Sequence, residues 1–225
     1  MGGDATAAGQ HRERFEPLWP IVVAVGSFIV LTIVLRIVVP RRESIGPHWF
    51  VPAVEMMLLV VLVVAAHLEL WARWLRAASL VLILSLLATA LVTNITLIVQ
   101  LVTNAKVAQS ADSLLTSGVL VYLGNALAFS LLYWELDSGG PRARAQRSRA
   151  YPDFAFTQQL SPELAPPGWL PQFVDYLALG FTTNTAFSPT DAMPLTPWAK
   201  LRMAGQSLIS LTVIGLVIAR AVNVL

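Results

Sequence analysis

Four ionisable side chains, Glu55, His67, Glu69 and Glu135, stand in or beside long apolar stretches of this sequence. Carboxylates and an imidazole are the groups from which acid–base catalysis or a metal centre would be built. Their spacing argues against both. His67 and Glu69 are two positions apart, which turns them to different faces of a helix. No HExxH, phosphate-binding glycine loop or GxSxG is present. The chain has no cysteine, so disulfides, thiolate metal sites and cysteine nucleophiles are excluded. All four groups lie within about two turns of an expected helix end, from which an ionisable side chain reaches headgroups or water. No catalytic residue, metal or cofactor is therefore expected. An enzyme using Glu55, or His67 with Glu69, is the weakest reading.

Uncharged polar residues form a clearer pattern. Ser85, Thr89, Thr93, Thr96, Gln100 and Thr103 follow one another at steps of three or four and share one face of a helix, with Asn94 and Asn104 flanking it. Such a face is costly toward lipid, so it is expected to meet protein or water, either as helix-to-helix glue or as a solvent-lined path. Farther along, Ser207, Ser210, Ile214, Val217 and Ala221 form a stripe of small or modest side chains, which suits close packing or the wall of a narrow pore.

The elements that must carry these residues are membrane helices. Of 225 residues, 56% are hydrophobic and 12% charged, far more apolar surface than one small soluble core would hide. A crossing takes roughly 20 apolar residues, and 18–39, 51–70, 77–102, 114–136 and 201–225 each supply such a stretch. Trp19, Trp49, Trp71, Trp74, Trp134 and Trp198 lie near the ends of these stretches, as indole rings do at membrane interfaces, and Trp169 precedes the fifth. The first apolar stretch is too long for a cleaved signal and lacks a small-residue cleavage site, so it is expected to stay in the membrane. The expected fold is all-α: a polar tail over 1–17, a three-helix peripheral bundle over 18–104, and a separate module over 110–225. Between the last two helices, 137–170 carries five prolines and reads as an extramembrane connection. Phe173 to Phe181 is too short to cross, which suggests a re-entrant or interfacial segment.

The stretch FVDYLALGFTTNTAFSPTDAMPLTP, from Phe173 to Pro197, resembles the pore loop of the tetrameric potassium-channel family. The match runs without a gap. Asp175 lies on the pore helix, Phe181, Thr182 and Thr183 at its end, Thr185 before the filter, Asp191 after it, and Pro194-Leu195-Thr196-Pro197 ahead of the last helix. The resemblance implies an outer helix at 114–136, a pore helix at 171–183, a filter-like loop at 184–191 and an inner helix at 198–225, lined by the Ser207 to Ala221 stripe. It also implies a homotetramer.

Where that family has TVGYG, this chain has Ala186, Phe187, Ser188, Pro189 and Thr190. A queue of backbone carbonyls needs alternating conformations that glycine adopts cheaply, whereas proline is locked and serine is strained at positive φ. The loop is thus not a potassium filter. Rings of Thr185, Ser188 and Thr190 hydroxyls, a ring of Asp191, or a constriction at Phe187 are what the residues offer instead.

Ten of the fifteen Lys and Arg residues fall on one side if the N-terminus is cytoplasmic. That orientation, in a bacterial plasma membrane, turns the pore loop toward the cytoplasm, the reverse of the family. The expected function is an ion channel that is not potassium-selective, with membrane lipids and a small permeant ion as its other partners. The alternative is a nonconducting scaffold or sensor subunit that kept a pore-like hairpin. The formal charge of +2 does not suggest nucleic acid.

Overall fold

The computed structural model describes residues 17, 19–38, 49–67, 72–103, 111–148, 151–185 and 191–224. In order these form α1 (Trp19–Val38), α2 (Phe50–His67), α3 (Ala72–Val102), α4 (Ala111–Leu136), α5 (Pro141–Ala145), β1 (Phe154–Phe156), α6 (Thr157–Leu160), α7 (Phe173–Asn184), β2 (Ala192–Pro194) and α8 (Pro197–Val224). Four helices, α1, α3, α4 and α8, are long and apolar enough to cross a membrane, as an integral membrane protein requires. The described apolar run of α2, Phe50–Val61, is shorter than a span. Proline opens several helices where a missing N–H costs little: Pro20 in α1, Pro52 in α2, and Pro141 and Pro197 at the first residues of α5 and α8.

α4 is the centre of the fold, in contact with α1, α3, α7 and α8. Its buried residues include Ser117, Gly118, Gly124, Ala126, Ala128 and Ser130, whose small side chains let its neighbours approach closely. Two apolar clusters mark its two ends. One gathers Ile21, Val25, Phe28, Leu82, Tyr133, Trp134, Phe154, Tyr176 and Met203; the other gathers Leu35, Leu97, Leu101, Leu114, Val121, Val213 and Val217. The first end carries the connection after α4 and is termed the loop side. The second is the far side.

The connection is more ordered than its prolines suggest. Asp137–Gly139 forms a 3-10 turn that halts α4, and Gly140, at φ +101°, reverses the chain. A Cβ at Gly140 would also sit 3.1 Å from the Glu135 carbonyl oxygen, so glycine is required twice over. β1 pairs antiparallel with β2, Ala155 opposite Met193. The segment before α7 is thereby tied to the segment that follows it.

Outward-facing side chains are large and apolar, as in a chain whose solvent is lipid. Leu208, Leu211, Ile218 and Val222 of α8 are all exposed. Trp19, Trp49, Trp74 and Trp198 are exposed at helix ends, whereas Trp134 is buried inside the fold.

Candidate functional site

α7 starts beside the end of α4, with the Phe173 ring 6.3 Å from that of Trp134. It then runs back along α4. At Gly180 a Cβ would fall 2.0 Å from Ser130 Oγ and 3.0 Å from the Ala126 carbonyl oxygen, a closeness that only glycine permits. The helix stops at Asn184, level with the middle of both α4 and α8, and by β2 the chain has returned to the loop side.

Asn184 is fully buried. Its Oδ1 accepts hydrogen bonds from Asn125 Nδ2 at 3.2 Å, Gln206 Nε2 at 3.3 Å and Ser210 Oγ. Its Nδ2 donates to the Tyr122 carbonyl oxygen at 2.9 Å. Asn125 Nδ2 also donates to Ser210 Oγ, and Gln206 Nε2 to the Gly180 carbonyl oxygen, both at 2.8 Å. The network extends through Tyr133 Oη, which donates to Gln206 Oε1 at 2.6 Å, and on the other side to Asn94, whose Nδ2 lies 3.5 Å from Asn125 Oδ1. Five buried polar side chains on α3, α4, α7 and α8 thus hold the end of α7 at mid-depth, where an unpaired polar group would be costly.

On the loop side a second constellation fixes the start of α7. Asp137, 1% exposed, accepts from the backbone N–H of Asp153 at 2.9 Å and of Phe154 at 3.3 Å, and from Tyr176 Oη. Asp153 binds Thr196 Oγ1 at 2.7 Å, which joins the same unit to the start of α8. Arg144 donates to the carbonyl oxygens of Trp134 and Asp137, its guanidinium 4.9 Å from the centre of the Tyr176 ring. Arg144, one of the ten basic residues counted on one membrane side, is buried inside the fold. Asp137→Ala strands the Asp153, Phe154 and Tyr176 donors and the Ser138 hydroxyl, which donates to Asp137 Oδ1 at 3.0 Å, and is expected to cost about 2–4 kcal/mol. Tyr176→Phe, which removes one, is expected to cost about 1 kcal/mol. Thermal unfolding in detergent measures both.

The expected site residues divide. Thr185 caps α7, exposed, with its Oγ1 donating to the Thr182 carbonyl oxygen at 2.8 Å. Asp191 is exposed, and its carbonyl oxygen accepts from the Thr157 N–H at 3.0 Å. Ala186, Phe187, Ser188, Pro189 and Thr190 lie outside the described residues. At the loop-side start of α7, burial raises the Asp175 carboxyl above the usual carboxylate range; backbone hydrogen bonds from Gln172 and Asp175 oppose this, and the charge of Asp191 adds to it.

The inner-helix stripe is largely buried in this chain. Ser210, Val217 and Ala221 are 3%, 6% and 6% exposed, and Ser207 Oγ donates to the Thr183 carbonyl oxygen at 3.1 Å. Ile214 is half-buried. Ser207 and Ser210 meet α7 and α4, and Val217 lies against Gly118 of α4, where small side chains permit close approach. Of the two readings of the stripe, these contacts are those of close packing within the chain.

The Glu55 and Glu135 carboxyls are buried inside the fold, 0% and 3% exposed, bonded to Thr89 Oγ1 and Ser79 Oγ at 2.7 Å. The His67 side chain, Glu69 and Asn104 lie outside the described residues. Sequence reasoning missed Asn125, a single amide in an apolar run whose partners are 59 and 85 positions away. No family model, curated protein or solved structure matches this chain.

Proposed function

We propose that this protein is a pore-loop ion channel in which four copies surround a common axis, each chain crossing the membrane five times with α7 as a re-entrant pore helix. The supporting observation is the course of α7: it begins at the loop side, ends at mid-depth on Asn184, and is followed by a strand back on the loop side. The last carbonyls of a helix carry the negative end of its dipole. A half-helix ending at mid-membrane with its carbonyl end forward lowers the energy of a cation there, so the permeant ion is a cation. α2 (Phe50–His67) supplies the fifth crossing, its 18 residues rising about 27 Å.

With the small stripe turned inward, the face of α8 available to the axis carries Leu201, Leu208, Leu211, Ile218 and Val222, at steps of seven, three, seven and four. That face forms a hydrophobic passage, and selection falls to the loop at 184–191 and the Asp191 carboxylates at its mouth. Potassium selectivity is not expected, because the loop lacks the glycines of a carbonyl ladder.

The purified protein in planar bilayers is expected to give unitary cation currents. Asp191→Asn is expected to lower conductance at low ionic strength and to change it little at high salt, since a ring of exposed carboxylates concentrates cations only where screening is weak. Folded tetramers without conductance would leave the nonconducting scaffold reading in place. A monomer or dimer by mass in detergent would remove the channel reading.

A further inference from the structure

Glu55 is fully buried between α2 and α3, and only one of its two carboxylate oxygens is satisfied. Thr89 Oγ1 donates to Oε1; among the described residues Oε2 has no partner. One helical turn from Thr89 on the same face of α3, Thr93 opens onto a crevice between α1, α3 and α4. Its deeper part, with about 20 Å³ open to a water-sized sphere, is lined by Thr32, Thr93, Gly124 and Asn125 among others. Its outer part, with about 10 Å³ of such space, is lined by Arg36, Thr96 and Gln100 in the last turns of α1 and α3, so the crevice opens toward the far side. The two parts share Leu35, Thr93 and Val121.

We infer that Glu55 is a proton-binding site served from the far side through this crevice, with the α3 hydroxyl face as its wall. Thr96 Oγ1 donates to the Val92 carbonyl oxygen, 2.7 Å away, leaving its lone pairs to accept from water in the crevice. A water needs about 10–15 Å³ of such space and two or more polar partners; the deeper part has room for one, with Thr32, Thr93 and Asn125 on its wall. An ionisable side chain buried at membrane depth with one open oxygen is the kind of group that exchanges a proton with such water. The elements packed against α2 are α1 and α3. From α1 the facing charge is Arg36, which also lines the crevice and lies within electrostatic reach of Glu55. α3 presents the Thr89 hydroxyl, its Arg76 lying at the opposite end beside Glu135. The ligand is thus a proton arriving through water, bound where α1, α2 and α3 meet.

Infrared spectra of the full chain in phosphatidylcholine vesicles, recorded across a pH titration, are expected to contain a carboxyl C=O band that titrates and is lost in Glu55→Gln. Filling the crevice with apolar carbon in Thr93→Leu/Thr96→Leu is expected to slow hydrogen–deuterium exchange of that band several-fold. The natural chain has no cysteine, so Thr96→Cys adds a single thiol, expected to react with a membrane-impermeant reagent from one side only. Thr89→Val keeps the carboxyl and removes its partner; it is expected to shift the band and identifies Glu55 even if Glu55→Gln fails to fold. A Glu55 band that ignores pH, unchanged exchange in the filled variant, or an unreactive Thr96→Cys in folded protein would overturn the assignment. None of these readouts depends on conduction.

Discussion

Gly180→Ala is expected to detach α7 from α4 and to cost on the order of 3 kcal/mol, the upper end of overpacking penalties. The added methyl would sit 2.0 Å from Ser130 Oγ and 3.0 Å from the Ala126 carbonyl oxygen. The hydroxyl has little freedom to move aside, because it donates back to that same carbonyl oxygen at 2.7 Å. The backbone oxygen moves only if α4 itself bends. The Gly180 carbonyl oxygen is also an acceptor for Gln206 Nε2, so displacing α7 breaks its link to α8 as well. Ser130→Ala removes the closest atom and leaves the carbonyl contact, so Gly180→Ala/Ser130→Ala is expected to recover part of the loss. Melting temperature and folded yield in detergent read both effects. A Gly180→Ala protein as stable as wild type would mean that α7 does not lie on α4 as described.

The same contact shows how much of the fold was legible beforehand. Hydropathy marks α1, α3, α4 and α8 because a crossing needs length and apolarity, both local properties. The brevity of the apolar run after Pro171 marks α7 as something other than a crossing. Neither says which faces meet. In water, the apolar face of a helix points inward, and its small polar residues tend to point out. In lipid the rule weakens: Leu208, Leu211 and Ile218 lie outside while Ser210 and Val217 lie within. The α8 stripe was therefore legible as a stripe, and its direction was not.

The loop-side unit was illegible for a different reason. Asp137 stands just before the Ser138-Gly139-Gly140-Pro141 breaker and Arg144 counts among the topology charges, yet they meet Tyr176 and Asp153 only once β1 and β2 pair, and three-residue strands leave no periodicity to find. Glu55 and Glu135 read as interfacial because both stand near helix ends. Burial came from neighbouring helices that reach past those ends: α3 runs for 31 residues, about 46 Å, longer than the hydrocarbon it crosses.

Asn184 is where stability and the proposed function can be separated. Asn184→Ala removes the acceptor shared by Asn125, Gln206 and Ser210. Gln206 Nε2 and Asn125 Nδ2 keep their other partners, while Ser210 Oγ must redirect its proton and the Tyr122 carbonyl oxygen loses its donor. The expected cost is about 2–4 kcal/mol, the sum of one or two stranded buried groups. Asn184→Asp keeps every acceptor contact but loses the donor to Tyr122 and buries a carboxyl at mid-depth, so it is expected to be at least as destabilising. Replacing the whole set with apolar groups of similar shape, in Asn184→Leu/Asn125→Leu/Ser210→Ala, removes donors and acceptors together and is expected to restore much of the stability. That triple variant no longer fixes the carbonyl end of α7 by directed bonds. In bilayers it is expected to form folded tetramers with cation conductance reduced or lost, because the carbonyl dipole is no longer aimed at a fixed point on the axis. Wild-type conductance in the triple variant would show that the network serves packing alone and that the end of α7 does not set the ion's path.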